Sequence, residues 1–112
     1  MATPTEQLKE LKKIAQIRFD KERHQLTAIN EEIARLDQER KALKKQIKDI
    51  SSGEQASPAS LMNAYAYLDA LTRKAELLDA ERHEAYERTQ AQREKIKTAL
   101  ASKIRVEGMD EA

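Results

Sequence analysis

From Leu26 to Ile50 the residues Leu26, Ile29, Ile33, Leu36, Arg40, Leu43, Ile47 and Ile50 follow one another in steps that alternate between three and four. All but Arg40 are large and apolar. This spacing is the a/d repeat of a left-handed coiled coil, one apolar seam along a helix. Extended backwards, the same register meets Glu22, Phe19, Ala15, Lys12 and Leu8. A second run carries the pattern through Leu61, Ala64, Leu68, Leu71, Ala75, Leu78, Arg82, Ala85, Thr89, Gln92, Ile96 and Ala99.

Between the two runs lies the only break in composition, Ser51-Ser52-Gly53-Glu54-Gln55-Ala56-Ser57-Pro58. Gly53 can supply a left-handed cap for the first helix. Ser57 then acts as N-cap, with Pro58 at the first helical position, where its missing N–H costs nothing. Thr3-Pro4-Thr5-Glu6 repeats that logic at the first helix and adds a capping box, because Glu6 stands three residues after Thr3. The expected fold is all-α, a single long two-helix antiparallel coiled-coil hairpin over residues 1–112. It has a helix over 4–51, a loop over 52–57, a helix over 58–106 and a frayed tail over 107–112.

A short loop requires the helices to run antiparallel. Pairing residues whose numbers sum to 111 sets every a position opposite a d position: Leu43 meets Leu68, Leu36 meets Ala75, and Ile33 meets Leu78. Nearer the termini the same rule gives Glu22 opposite Thr89 and Phe19 opposite Gln92. The seam is therefore expected to be aliphatic near the loop and polar toward the termini, where it should open first.

Composition removes most other architectures. Ala, Glu, Lys, Leu and Arg fill more than half of the 112 positions, while Leu, Ile, Val and Phe fill fewer than a fifth. A thick globular core is out of reach, but one narrow seam is not. Without cysteine there is neither a disulfide framework nor a thiolate metal site. No apolar run is long enough to insert in a membrane, and residues 1–10 do not read as a secretory signal, so a cytoplasmic location is expected. Basic residues number 21 and acidic ones 20, a balance that argues against nucleic acid as the main partner.

The chemistry-bearing residues are few. His24 and His83 fall at outer heptad positions and do not face each other, so they read as solvated side chains rather than metal ligands. Carboxylates such as Glu31, Glu32, Asp79 and Glu81 lie on a convex surface that cannot exclude water. Neither an enzyme activity nor a cofactor is therefore expected. Two surface features stand out. Arg40, Lys41, Lys44, Lys45 and Lys48 put five cations in nine positions with no acid among them. They form either a solvated face near a helix C-terminus or a docking face for an acidic protein surface. Asn63, Tyr67 and Leu71 form an i, i+4, i+8 stripe, read either as packing beside the seam or as a partner patch anchored by tyrosine.

The order of hairpin, Ser/Gly loop and then Asn63, Tyr67, Leu68 and Leu71 resembles the flagellar export stalk family (the FliJ type) and its injectisome relatives (the YscO type). The family pattern after the loop is similar to N-Y-x-x-F-[IL]-x-x-L. Here Tyr67 stands for the Phe, Ala64 departs from the Tyr, and Leu61-Met62 replaces the tryptophan frequent before the motif. The resemblance implies a non-enzymatic component of type III protein export, a cytoplasmic protein held at the inner face of the membrane through the export apparatus. It implies a terminal end that enters a hexameric export ATPase, with Leu8, Leu11, Ile14, Ile17, Ile96, Leu100 and Ile104 in or near the ring. It also implies a gate-side patch of Asn63, Tyr67 and Leu71 for the cytosolic domain of the export gate, and binding to export chaperones. Two readings unrelated to export remain: a chaperone-like hairpin that grips unfolded or partner helices, and self-association into a four-helix bundle that buries Leu11, Ile14, Ile17, Leu77 and Leu100.

Overall fold

The computed structural model describes the backbone of residues 3–51 and 58–111, and the side-chain surroundings of 3–51 and 62–109. It contains two long helices, α1 (Pro4–Ser51) and α2 (Pro58–Glu107), followed by a 3₁₀ turn over Gly108–Glu111. No strand occurs among the described residues. Both helices start at their prolines, as the sequence predicts. Gly53, Ser57 and the rest of the predicted loop lie outside the described residues. At its far end α2 runs one residue past the expected stop, and a 3₁₀ turn takes the place of the expected tail. Helices commonly tighten in this way where the last carbonyls lose their partners.

The start of α1 shows why it begins where it does. The Glu6 backbone N–H donates to Thr3 Oγ1 at 3.1 Å, and the Thr3 N–H donates back to Glu6 Oε2 at 3.3 Å. Two otherwise orphaned amides are satisfied reciprocally, an arrangement in which the cap residue contributes about 1 kcal/mol. Neither helix has an internal glycine, and the only prolines head the two helices. Nothing in the sequence therefore interrupts either ladder.

Contacts divide the chain into two units, Met1–Asn30 with Glu87–Ala112, and Glu31–Tyr86. In each the helices run antiparallel. In the second unit Asp37 pairs with Arg82 and Arg40 with Asp79, so rising numbers on α1 meet falling numbers on α2. In the first unit Glu22 pairs with Gln92, while Phe19, earlier on α1, lies under Lys103, later on α2. The heptad pattern is the burial pattern. Every seam position from Leu8 to Ile50 on α1, and from Ala64 to Ala99 on α2, is buried or half-buried.

The two seams differ in substance. In the second unit Leu36, Leu43, Leu71, Leu78 and Ala85 form a buried cluster, with Ile33, Ile47, Ile50 and Ala75 packed against it. Each fully buried leucine contributes roughly 1.5–3 kcal/mol relative to an exposed one. In the first unit the buried residues are Ala15, Thr89, Gln92 and Ala99. Its fully buried positions are small or polar, while its larger seam residues Leu8, Phe19, Leu26, Ile29 and Ile96 are only half-buried.

The pairing across the seam is displaced from the predicted one. A sum of 111 sets Gln92 opposite Phe19 and Arg40 opposite Leu71. In the structure Gln92 Nε2 donates to the Glu22 carbonyl oxygen at 2.8 Å and to Glu22 Oε2 at 2.6 Å, three residues further along α1. Arg40 meets Asp79 instead of Leu71. Asp79 lies eight residues from Leu71, so the displacement is between one and two turns. Such a displacement leaves the same residues in the seam, so apolar spacing alone does not choose between the alignments. Polar pairing chooses. The displaced register gives buried Gln92 an acceptor and gives both seam arginines a carboxylate.

Candidate protein-docking surfaces

The second unit carries the tyrosine stripe and the basic face. Asn63 is exposed and Tyr67 is 53% exposed, but Leu71 is only 7% exposed and belongs to the leucine cluster. The predicted stripe is thus not one continuous surface. Each four-residue step advances about 40° around a helix, so two steps carry the line from the outer side of α2 into the seam. Tyr67 and Tyr65 flank the seam without being covered by it, since both are mainly exposed. Met62, on the same turns, is exposed as well. Of the predicted gate-side residues, Asn63 and Tyr67 offer surface, and Leu71 holds the helix that presents them.

Arg40 is likewise drawn out of its predicted group. Its Nε stands 2.5 Å from Asp79 Oδ1, an ion pair whose N–H is not aimed for a hydrogen bond. Asp37 and Arg82 form the neighbouring pair, hydrogen-bonded at 2.5 Å. Arg40, Asp79, Arg82, His83 and Tyr86 line a shallow depression there. Lys41, Lys44, Lys45 and Lys48 are exposed on the outer side of α1. Together with Gln38 and Ala42 they line an open trough.

The first unit carries the other seven predicted residues, and the structure sorts them into two groups. Leu8 and Ile96 are half-buried seam residues. Leu11, Ile14, Ile17, Leu100 and Ile104 lie outside the seam, and Ile14, Ile17 and Ile104 are each 60% exposed. Leu11, Ile14 and Ile17 follow one another at i, i+3 and i+6 on α1, a second apolar line beside the one that packs against α2. Ile17 also edges a shallow concavity with Asp20, Lys21, His24, Gln25 and Ala28. Met109, in the 3₁₀ turn, adds an exposed side chain that heptad reasoning did not select.

Within the seam of this unit lies a polar layer whose closure the sequence does not announce. Gln92 is 4% exposed and Thr89 is 2% exposed. The Gln92 amide is satisfied by both oxygens of Glu22 named above, so its burial costs little. The a/d register identifies Glu22, Thr89 and Gln92 as polar seam residues, but the hydrogen bond depends on the displaced pairing.

The concavities are shallow and open, and among the described residues no group of three or more His, Asp or Glu side chains is placed to hold a metal ion. No helix, searched over the described residues, is long and apolar enough to cross a membrane. The exposed features are aliphatic side chains, tyrosines and a cationic trough. In comparisons with protein families, curated proteins and solved structures, the chain matches none.

Proposed function

We propose that this protein is a non-enzymatic helical adaptor of a type III export apparatus, acting as the stalk of a hexameric export ATPase and as a link to the export gate and its chaperones. The observation that carries the proposal is the exposed aliphatic set of the first unit, Leu11, Ile14, Ile17, Leu100 and Ile104. Side chains of this size, left exposed beside a seam whose fully buried positions are small or polar, mark surface that gains from a partner's cover. Tyr67, beside Asn63 in the second unit, supplies the anchor toward the gate. The protein works in the cytoplasm, at the inner face of the membrane, through these partners.

The test is to mix the full-length protein with the cognate export ATPase and follow hexamer assembly and ATP turnover. Both rise with stoichiometric protein if the proposal holds, and Ile14→Asp with Ile17→Asp removes the effect. No change in either readout contradicts it.

The same exposed aliphatic set favours one alternative, an adaptor unrelated to export that associates with itself or with unfolded client helices. Light scattering separates them. A protein that stays monomeric at high concentration and does not suppress aggregation of an unrelated client excludes the alternative.

A further inference from the structure

We propose that the outer side of α1 between Gln38 and Lys48 is a docking trough for an acidic amphipathic helix of a partner protein. The proposal stands apart from the export role, because it rests on different residues and on different chemistry.

The trough is lined by Gln38, Lys41, Ala42, Lys44, Lys45 and Lys48. Between residues 40 and 48 there are five basic side chains and no carboxylate. The acids around it are already engaged: Glu39 with Arg35 at 3.3 Å, Asp37 with Arg82, and Asp79 with Arg40. Lys41, Lys44 and Lys45 are exposed and form no ion pair among the described residues. Several cations elsewhere do find local acids, as Arg73 does with Asp69, Lys97 with Glu94, and Lys103 with Glu107. With Arg40 paired to Asp79 and Lys48 also partnered, Lys41, Lys44 and Lys45 carry the local excess of positive charge, in a chain whose net charge is only +1.

The chemistry of the trough has two parts. Ala42 gives it a methyl floor, and the methylene stems of the lysines form apolar sides beneath ammonium groups that stay in water. A helix presenting small apolar residues flanked by Glu or Asp satisfies both parts at once. From Lys41 to Lys48 is two helical turns, about 10.5 Å, so carboxylates at i, i+3 or i+4, and i+7 of the partner fall within reach. A bilayer is the poorer fit, because no large apolar side chain lines this trough to enter it. Nucleic acid is poorer too, since a tracked phosphate backbone calls for cations along a longer path than two turns.

The test uses the full-length protein and a labelled 15-residue helical peptide with Glu at i, i+4 and i+7 and Ala between, alongside its Gln twin. Fluorescence anisotropy should show the Glu peptide binding at least about tenfold more tightly than the twin, and weakening as salt is raised through the screening range. Lys41→Glu with Lys44→Glu and Lys45→Glu should abolish the preference, and the milder Lys→Gln triple should reduce it. Lys95→Glu with Lys97→Glu, in the other unit, should leave it intact. Circular dichroism confirms that each variant keeps its helices. Equal binding of the two peptides, an unchanged preference in the folded triple variant, or tighter binding to phosphatidylserine vesicles or to poly(U) RNA overturns the proposal.

Discussion

The two units are built from the same pair of helices but are held together by different means. Glu31–Tyr86 packs leucine against leucine in its seam and brackets Leu36 and Leu78 with the Asp37–Arg82 and Arg40–Asp79 pairs. The unit of Met1–Asn30 and Glu87–Ala112 buries alanine, threonine and glutamine in its seam, and leaves isoleucine and leucine outside. Aliphatic area that would stabilise the first unit from within is turned outward instead. A helical pair can thus differ along its length in how much aliphatic area its seam buries.

That contrast can be broken by mutation. The largest effect should come from Leu36→Ala or Leu78→Ala, each costing about 2–5 kcal/mol in chemical denaturation because a buried leucine leaves a cavity. Ile14→Ala, at an exposed position of the first unit, should stay within about 0.5 kcal/mol in the same experiment. If Ile14→Ala costs as much as Leu36→Ala, the contrast is wrong.

Next in size is the polar layer. Gln92→Ala removes the amide that spans to Glu22 and should cost roughly 1–3 kcal/mol. Gln92→Leu combined with Glu22→Leu should restore or raise stability while loosening the register, as apolar replacements of buried polar pairs do. Cross-linking of cysteines placed along the two helices would report the register directly. A single cross-linking pattern in that double variant would show that the layer does not set alignment.

The smallest effect belongs to the ion pairs of the second unit. Both partners of Asp37–Arg82 are two-fifths or more exposed, so a double-mutant cycle should return about 0.2–1 kcal/mol, falling as salt is added. A larger coupling that resists salt would move these pairs from the edge of the leucine seam to its centre.

Much of this was legible in the residues. The alternation of three and four names every buried position among the described residues, and Thr3-Pro4-Thr5-Glu6 and Ser57-Pro58 place both helix starts. The register between helices was not legible, because a displacement of one or two turns keeps Leu36, Leu43, Leu71 and Leu78 in the seam. What decides it is the reach of Gln92, Arg40 and Arg82 to their acceptors, which apolar spacing does not encode. For the same reason Leu71 and Arg40 could be read as surface residues. Leu71 belongs to both the seam and a four-step line, and Arg40 belongs to both the seam and a basic run. Leu11, Ile14 and Ile17 were legible as apolar residues off the seam, and they are exposed.

Residue-resolved amide exchange on the full-length protein tests the central contrast most directly. Amides in 30–50 and 64–78 should be protected markedly more than those in 12–24 and 89–100, since the leucine seam must open to expose the former and a seam whose fully buried positions are small or polar guards the latter. Equal protection of the two stretches would contradict the account.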